Sequence, residues 1–498
     1  MNNRSAALMI QGTTSDAGKS ITVAGLCRVL KRRGYSVAPF KPQNMALNSA
    51  VTASGGEIGR AQALQAFACD LQPHIDFNPV LLKPSGDQRS QVILHGKAVS
   101  HLEARSFGSI KQLAFQSVLE SYQRLQQQYD FVIIEGAGSP AEINLRKNDI
   151  ANMGFAEAVN CPVALIGDID RGGVFAHLIG TLQLLSPSEQ NRVIGFIINK
   201  FRGNLDLLQG GLDWLTDYSQ KPLFGVLPYL HDLRLDAEDA IRIDPNSKGD
   251  IVIKVPVLSR ISNHTDFDPL AAHPDVRLEF VRSGDSLDGA DLIILPGSKN
   301  VRAEMQHLID NGWDQQIKRH CRYGGKLLGI CGGYQLLGNR IDDPQGIEDT
   351  AGSVTALGLI EMRTELLPNK QLKQVSGQFA IGDLQGALSG YEIHCGQSHG
   401  AALQSAFAQI TDQQGNCYND GVVSDDQQII GTYLHGLFEH AECLNQLIHW
   451  ISGKASSHKI HHWDHTRREQ LDRLADCFEQ HLNIDQMIER AAAGITNH

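Results

Sequence analysis

Two short glycine-flanked runs carry residues able to do chemistry. The first is Gly12-Thr13-Thr14-Ser15-Asp16-Ala17-Gly18-Lys19-Ser20. Glycines there let backbone N–H groups turn inward around phosphate oxygens, and a following helix N-terminus adds partial positive charge. Gly12, Thr13, Asp16 and Gly18 are expected to form the cradle. Lys19 is expected to reach the terminal phosphates, and the Ser20 hydroxyl to ligate Mg²⁺. Five residues separate the two glycines, where the common phosphate loop has about four. The competing reading is an ordinary glycine-rich turn. The second run is Gly329-Ile330-Cys331-Gly332-Gly333, which has the layout of a nucleophile elbow between a strand and a helix. A thiol over a helix N-terminus becomes more acidic, and the Gly332 N–H is expected to stabilise an oxyanion. Gly297, in the strand-end loop Leu295-Pro296-Gly297-Ser298, is expected to supply the second donor. The thiol needs a base, and His435, at the end of another strand, is the candidate. The bland alternative for Cys331 is a buried structural thiol.

Further candidates sit at strand ends. Phe131-Val132-Ile133-Ile134-Glu135 is an apolar strand closing on a carboxylate, so Glu135 is expected to join Ser20 near Mg²⁺. Asn199 closes another strand and is expected to read the nucleotide base, although an asparagine there is often a turn residue. Four histidines, His458, His461, His462 and His465, invite a metal reading. No cysteine supports it, and a polar surface segment is the preferred reading.

Positioning these residues requires parallel strands. From the start to about residue 230, short apolar strands (Ala6–Ile10, Ser36–Phe40, Phe131–Ile134, Val163–Ile166, Val193–Ile198, Leu223–Leu227) alternate with amphipathic stretches such as Thr22–Arg33 and Lys111–Gln127. That rhythm is the mark of a doubly wound α/β sheet. A polar stretch, 231–250, reads as a linker. A second α/β series follows over 251–445, and the end, 446–498, reads as a helical extension. The expected fold class is α/β, with two doubly wound domains. The chain has 498 residues, 42% hydrophobic and 20% charged, which fits globular domains. Its formal net charge of -11 disfavours a nucleic-acid partner. Nine scattered cysteines without a C-x-x-C pair read as reduced thiols in a cytoplasmic protein. No apolar run reaches the ~20 residues needed to span a membrane.

The phosphate-loop spacing and Glu135-Gly136-Ala137-Gly138 resemble the dethiobiotin synthetase-like P-loop proteins, which phosphorylate carboxylates or carbamates. The Cys331 elbow and His435 resemble class I glutamine amidotransferase domains, which free ammonia from glutamine through a thioester. In that family the base lies in His-x-Glu. Here Gly436 and Leu437 follow His435 and the next acid is Glu439, so a Cys–His dyad is expected. The combination resembles the glutamine-dependent amidases of corrinoid synthesis. It is carried by Phe40-Lys41-Pro42-Gln43-Asn44-Met45-Ala46-Leu47-Asn48-Ser49, by Gly167-Asp168-Ile169-Asp170-Arg171-Gly172-Gly173, and by Gly390-Tyr391-Glu392-Ile393-His394. The first segment favours the cobyric acid synthase branch, which amidates the b, d, e and g carboxylates of adenosylcobyrinic acid a,c-diamide with ATP and glutamine. The resemblance implies a corrinoid substrate, ATP and glutamine as co-substrates, Mg²⁺, and Lys41 as a second cation near the phosphates. It leaves Asp168 and Asp170 between metal binding and turn positions, and reads Glu392 and His394 as a substrate or inter-domain contact. The rival readings are the a,c-diamide synthase of the same pathway and a P-loop switch protein, which would leave Cys331 and His435 without a role.

Overall fold

The computed structural model describes residues 5–86, 89–103, 108–147, 149–236, 249–458 and 460–495. Most of the expected linker, 231–250, lies outside these residues. Runs such as Phe131-Val132-Ile133-Ile134 are buried along their whole length. Strands covered on both faces must be apolar at every position, and the parallel arrangement supplies that cover.

The first sheet has six parallel strands in the order Leu223–Pro228, Val193–Phe201, Val163–Asp168, Ala6–Gly12, Phe131–Glu135, Val37–Phe40. The chain passes to either side of Ala6–Gly12, so a crevice opens at the carboxyl end of that strand, where ligands sit in such sheets. Gly12, Glu135, Asp168 and Asn199 all fall at that edge. The second sheet runs Val276–Val281, Ile251–Pro256, Leu292–Leu295, Lys326–Ile330, Ile429–Thr432, Val422–Val423, parallel except for the last pair. Leu292–Leu295, Lys326–Ile330 and Ile429–Thr432 are consecutive neighbours. The loops after them, carrying Gly297, Cys331 and His435, therefore meet at one edge.

Two further sheets, mixed but mostly antiparallel, were not legible in the sequence. One contains Gln43–Met45, Val80–Gly86, Arg89–Leu94 and Lys97–Glu103. The other is built around the long hairpin Arg363–Ile381 with Leu384–His399. The helical end of the chain packs against the first domain. The helix Trp463–His481 packs on the helix Lys19–Arg32, and Leu471, Leu474, Phe478 and Leu482 enter the core of the first sheet. Arg28 Nε donates to Asp472 Oδ1 at 2.7 Å across that contact. Among the described residues no helix is long and apolar enough to cross a membrane.

Candidate active sites

The phosphate loop ends at Gly18, whose backbone is left-handed at φ 98°. A side chain there would be strained by that angle, and its Cβ would lie 2.2 Å from Asn199 Nδ2. Asn199 instead uses that nitrogen to donate to Ala17 O at 2.9 Å, fixing the loop to the neighbouring strand. The Lys19 ammonium is drawn across the loop mouth. It donates to Thr14 O and Ser15 O at 3.0 Å and to Gly138 O at 2.9 Å. The loop and the segment Glu135-Gly136-Ala137-Gly138 thus share one cation.

Glu135 is buried at 1% exposure. Its Oε1 accepts from Ser20 Oγ at 2.7 Å and from Lys41 Nζ at 2.8 Å. Its Oε2 accepts from Gln65 Nε2 at 2.6 Å and Gln62 Nε2 at 3.3 Å. Burial opposes the charge, but Lys41 and these donors hold the carboxyl below its ordinary range. Sequence reasoning brought Ser20, Lys41 and Glu135 to one site, and missed Gln62 and Gln65, whose helix gave no motif. Asp168 and Asp170 are engaged by cations: Lys200 Nζ lies 2.8 Å from Asp168 Oδ2 and Arg202 Nε 2.9 Å from Asp170 Oδ1. Asp16 stands at the rim, 2.9 Å from Arg171 Nη2. Gly18 and Asn199 open onto a cavity of about 610 Å³, whose further walls include Tyr229, Phe478 and, from the second domain, Phe267.

At the elbow, Cys331 has φ 52° and ψ -106°, a strained conformation for a residue with a side chain. Its N–H donates to Thr432 O at 2.8 Å, which ties it to the end of the strand that leads into His435. The elbow also needs Gly333, since a Cβ there would lie 2.0 Å from Leu295 O. The Gly297–Ser298 turn abuts Gly332: a Cβ on Gly332 would be 2.9 Å from Ser298 N, and one on Gly297 would be 3.0 Å from His435 Cε1. Buried Glu304 holds this turn, accepting from Ser298 Oγ at 2.9 Å and from Arg260 N at 2.8 Å.

The structure differs from the expected Cys–His dyad. His435 Nδ1 lies 2.6 Å from Asp266 Oδ2, and Asp266 Oδ1 accepts from Gly436 N at 3.1 Å. Asp266 precedes His435 by 169 residues, so no local spacing could reveal it; its turn, Asn263–Phe267, looks like any polar loop. Burial disfavours the His435 imidazolium, but the Asp266 carboxylate and then Cys331 overcome this and push its pKa up to about 10. His435 Nε2 is buried without a hydrogen-bond partner among the described residues. Glu439 lies elsewhere, bonded to Arg60 and Arg467.

Beside the thiol is a cavity of about 50 Å³ lined by Cys331, Gln335, Lys299, Lys370, His394 and Lys83. The buried Gln335 Oε1 has no hydrogen-bond partner among the described residues, so an acceptor is left open toward a donor. Lys83 comes from the first domain and pairs with Glu57, which also pairs with Lys370 of the second domain. Glu392 and His394 stay within the second domain: the Tyr418 hydroxyl donates to Glu392, and the His394 ring stacks on Tyr433 at 3.7 Å. The four candidate metal histidines do not converge, and His462 packs against His440. His461 stacks on His465, and His458 lies 3.2 Å from Asp275. Among the described residues no cluster of three or more His, Cys, Asp or Glu could hold a metal.

Residues 8–242 match the CobQ/CobB/MinD/ParA nucleotide binding domain family, and residues 252–443 match the CobB/CobQ-like glutamine amidotransferase domain family. A cobyric acid synthase from Vibrio parahaemolyticus serotype O3:K6 (strain RIMD 2210633) is 54% identical over 486 residues, covering 96% of this chain and 98% of that protein. Among solved structures, PurLQS from Thermotoga maritima is 14% identical, covering 46% of this chain and 99% of its own, with a TM-score of 0.29. A glutamine amidotransferase is 15% identical, covering 41% of this chain and 99% of its own, with a TM-score of 0.30. With a phosphate loop, a thiol elbow, and a relative this similar along nearly its whole length, the chain belongs to the cobyric acid synthase family.

Proposed function

We propose that this chain is an ATP- and glutamine-dependent amide ligase of cobalamin biosynthesis, converting the b, d, e and g carboxylates of a corrinoid a,c-diamide to amides. The observation that carries the reading is the pairing of two sites in one chain, with Lys83 of the nucleotide-binding domain in the wall of the thiol's cavity. A carboxylate is a poor electrophile toward ammonia, so it must be activated. Its oxygen attacks the γ-phosphorus of ATP, the bond to the β–γ bridging oxygen breaks, and ADP leaves. Ammonia then attacks the acyl carbon, phosphate departs with the C–O electron pair, and the nitrogen loses a proton.

Lys19 and Lys41 offset the charge of the transferring group, while Gly12, Thr13, Asp16 and Gly18 frame it and Asn199 faces the base. The oxygen donors Ser20 and Glu135 suit Mg²⁺, a hard cation. When bound, it would neutralise phosphate charge. Lys41 already balances the buried Glu135 carboxylate. In the second domain the Cys331 thiolate attacks the glutamine amide carbon, and the N–H groups of Gly297 and Gly332 receive the oxyanion. The His435 imidazolium, held by Asp266, gives its proton to the departing ammonia and then serves as base for water attack on the thioester. Gln335 Oε1 accepts from the α-amino group of glutamine. The protein works in the cytoplasm on a small molecule, without nucleic acid or membrane.

The test is mass spectrometry of the corrinoid after incubation with ATP, Mg²⁺ and glutamine. Each carboxylate-to-amide conversion lowers the mass by a fixed step, and four steps are expected. No mass change would refute the reading, and amidation only of the a and c positions of unamidated cobyrinic acid would favour the sister synthase. Lys19→Ala is expected to abolish amidation from glutamine and from ammonium salt alike.

A further inference from the structure

The corrinoid carboxylate must meet the terminal phosphate of ATP, so its pocket has to open beside the phosphate loop. The roughly 610 Å³ cavity at Gly18 and Asn199 lies on the side of the loop assigned above to the base. A second cavity, of about 450 Å³, lies at Gly138, whose carbonyl receives the Lys19 ammonium at 2.9 Å. We infer that this second cavity is the corrinoid site, and that the macrocycle enters it by one edge. The inference rests on the proposed function above.

One wall is the small four-stranded sheet, which contributes Met45, Leu82 and Val92. The facing wall is built from residues between 137 and 146 and from 149–152, and contributes Leu145 and Ile150. That wall is pre-formed by its own hydrogen bonds. Asn152 clasps Ala137 through both main-chain groups, at 3.0 Å and 2.6 Å. Asp149 Oδ1 accepts from the N–H groups of Ala151 and Asn152 at 2.8 Å and 3.0 Å. The walls are mostly apolar, as suits the hydrocarbon framework of a corrin.

The rim is unusual for a protein surface. Met45 is 57% exposed, and Leu145, in the turn Ile143–Leu145, is 64% exposed. Large apolar residues left open around an apolar cleft mark a surface awaiting a partner. A cavity of this size takes one edge of a macrocycle, and the rest of the ring lies on the Met45 and Leu145 rim. Contact through an apolar face, with few directional bonds, lets the same walls accept the ring in several orientations. That is what a site presenting four different carboxylates to one phosphate requires. Charged groups of both signs, Lys111, Arg146, Glu142 and Asp149, also line the cavity, and Arg146 is paired with Glu189.

The test uses full-length Leu145→Asp and Met45→Asp, with Leu145→Met as the conservative control. Both positions are exposed, so the fold tolerates the change; unchanged thermal midpoints verify it. Equilibrium binding of cobyrinic acid a,c-diamide and the KM values for corrinoid and ATP are measured beside wild type. A rise of at least tenfold in corrinoid Kd and KM is expected for each aspartate variant. The ATP KM should stay within about twofold, and Leu145→Met should bind like wild type. Corrinoid binding unchanged in both aspartate variants, with wild type amidating normally, overturns the site and leaves the function standing. A wild type that neither binds nor amidates the corrinoid overturns both.

Discussion

His435 holds its proton because Asp266 sits on Nδ1 at 2.6 Å, in a place almost closed to water. The sign follows from the raised pKa: the imidazolium, and the stability it contributes, is complete below the ordinary 6.5 and lost only as pH rises through about 10. Wild-type glutamine use should therefore not decline through loss of this proton before about pH 9 to 10. In Asp266→Asn the proton is held less tightly, so the decline should begin at lower pH, and glutamine-dependent turnover should fall on the order of 10²-fold. Ammonium-dependent amidation should persist. A pH profile of glutamine hydrolysis for both proteins checks this; superimposable profiles would remove Asp266 from the site. Glu439→Gln, by contrast, should alter stability more than glutaminase rate, because Glu439 accepts from Arg60 and Arg467 and not from His435.

The turn Asn263–Phe267 lies between the two candidate sites. On one side Ser49 N donates to Asn263 Oδ1 at 2.9 Å, and His264 N donates to Asn48 Oδ1 at 3.3 Å. On the other, Phe267 lines the cavity at Gly18 and Asn199. Asp266 lies between these contacts, so the segment holding Lys41 and Asn44 also steadies the carboxylate behind the base. Asn48→Ala should lower kcat with glutamine by about tenfold, one lost buried hydrogen bond being worth about 1 kcal/mol or more, and affect kcat with ammonium much less. Equal losses with both nitrogen sources would place Asn48 in phosphoryl transfer instead. The residues legible in the sequence were those that a strand delivers directly to a glycine turn: Lys19, Ser20, Glu135, Cys331 and His435. Local spacing encodes that arrangement. Asp266, Gln335 and Lys83 reach their sites through tertiary folding, which leaves no local pattern. The long hairpin 363–399 was missed because its exposed face is polar and its alternation is interrupted, with the register shifting between Leu366 and Gln371.

At the scale of the whole molecule, the two domains and the C-terminal helices meet at a buried ion-pair knot. Arg60 Nε lies 2.9 Å from Asp236 Oδ2, and Arg467 reaches Asp236 at 3.2 Å and Glu439 at 2.7 Å. Burial opposes the Asp236 charge, yet Arg467 and Arg60 pull its pKa down to about 2. The contribution is thus full above the ordinary 3.8 and is lost as pH falls toward 2. Arg467→Met leaves buried carboxylates short of a partner and should cost about 3 kcal/mol at pH 7. The deficit should shrink in acid, as denaturant midpoints at pH 7 and pH 3 would reveal.

In the proposed reaction, two half-reactions in separate domains are joined only by ammonia. Cys331→Ala tests this most directly, with steady-state amidation of the corrinoid compared for wild type and variant. Removing the thiol deletes the covalent step on glutamine and leaves carboxylate phosphorylation in place. The variant is expected to fail with glutamine and to work with a high concentration of ammonium salt, better at higher pH because NH₃ is the attacking species. A variant still active with glutamine, or equally dead with both nitrogen sources, would contradict the account.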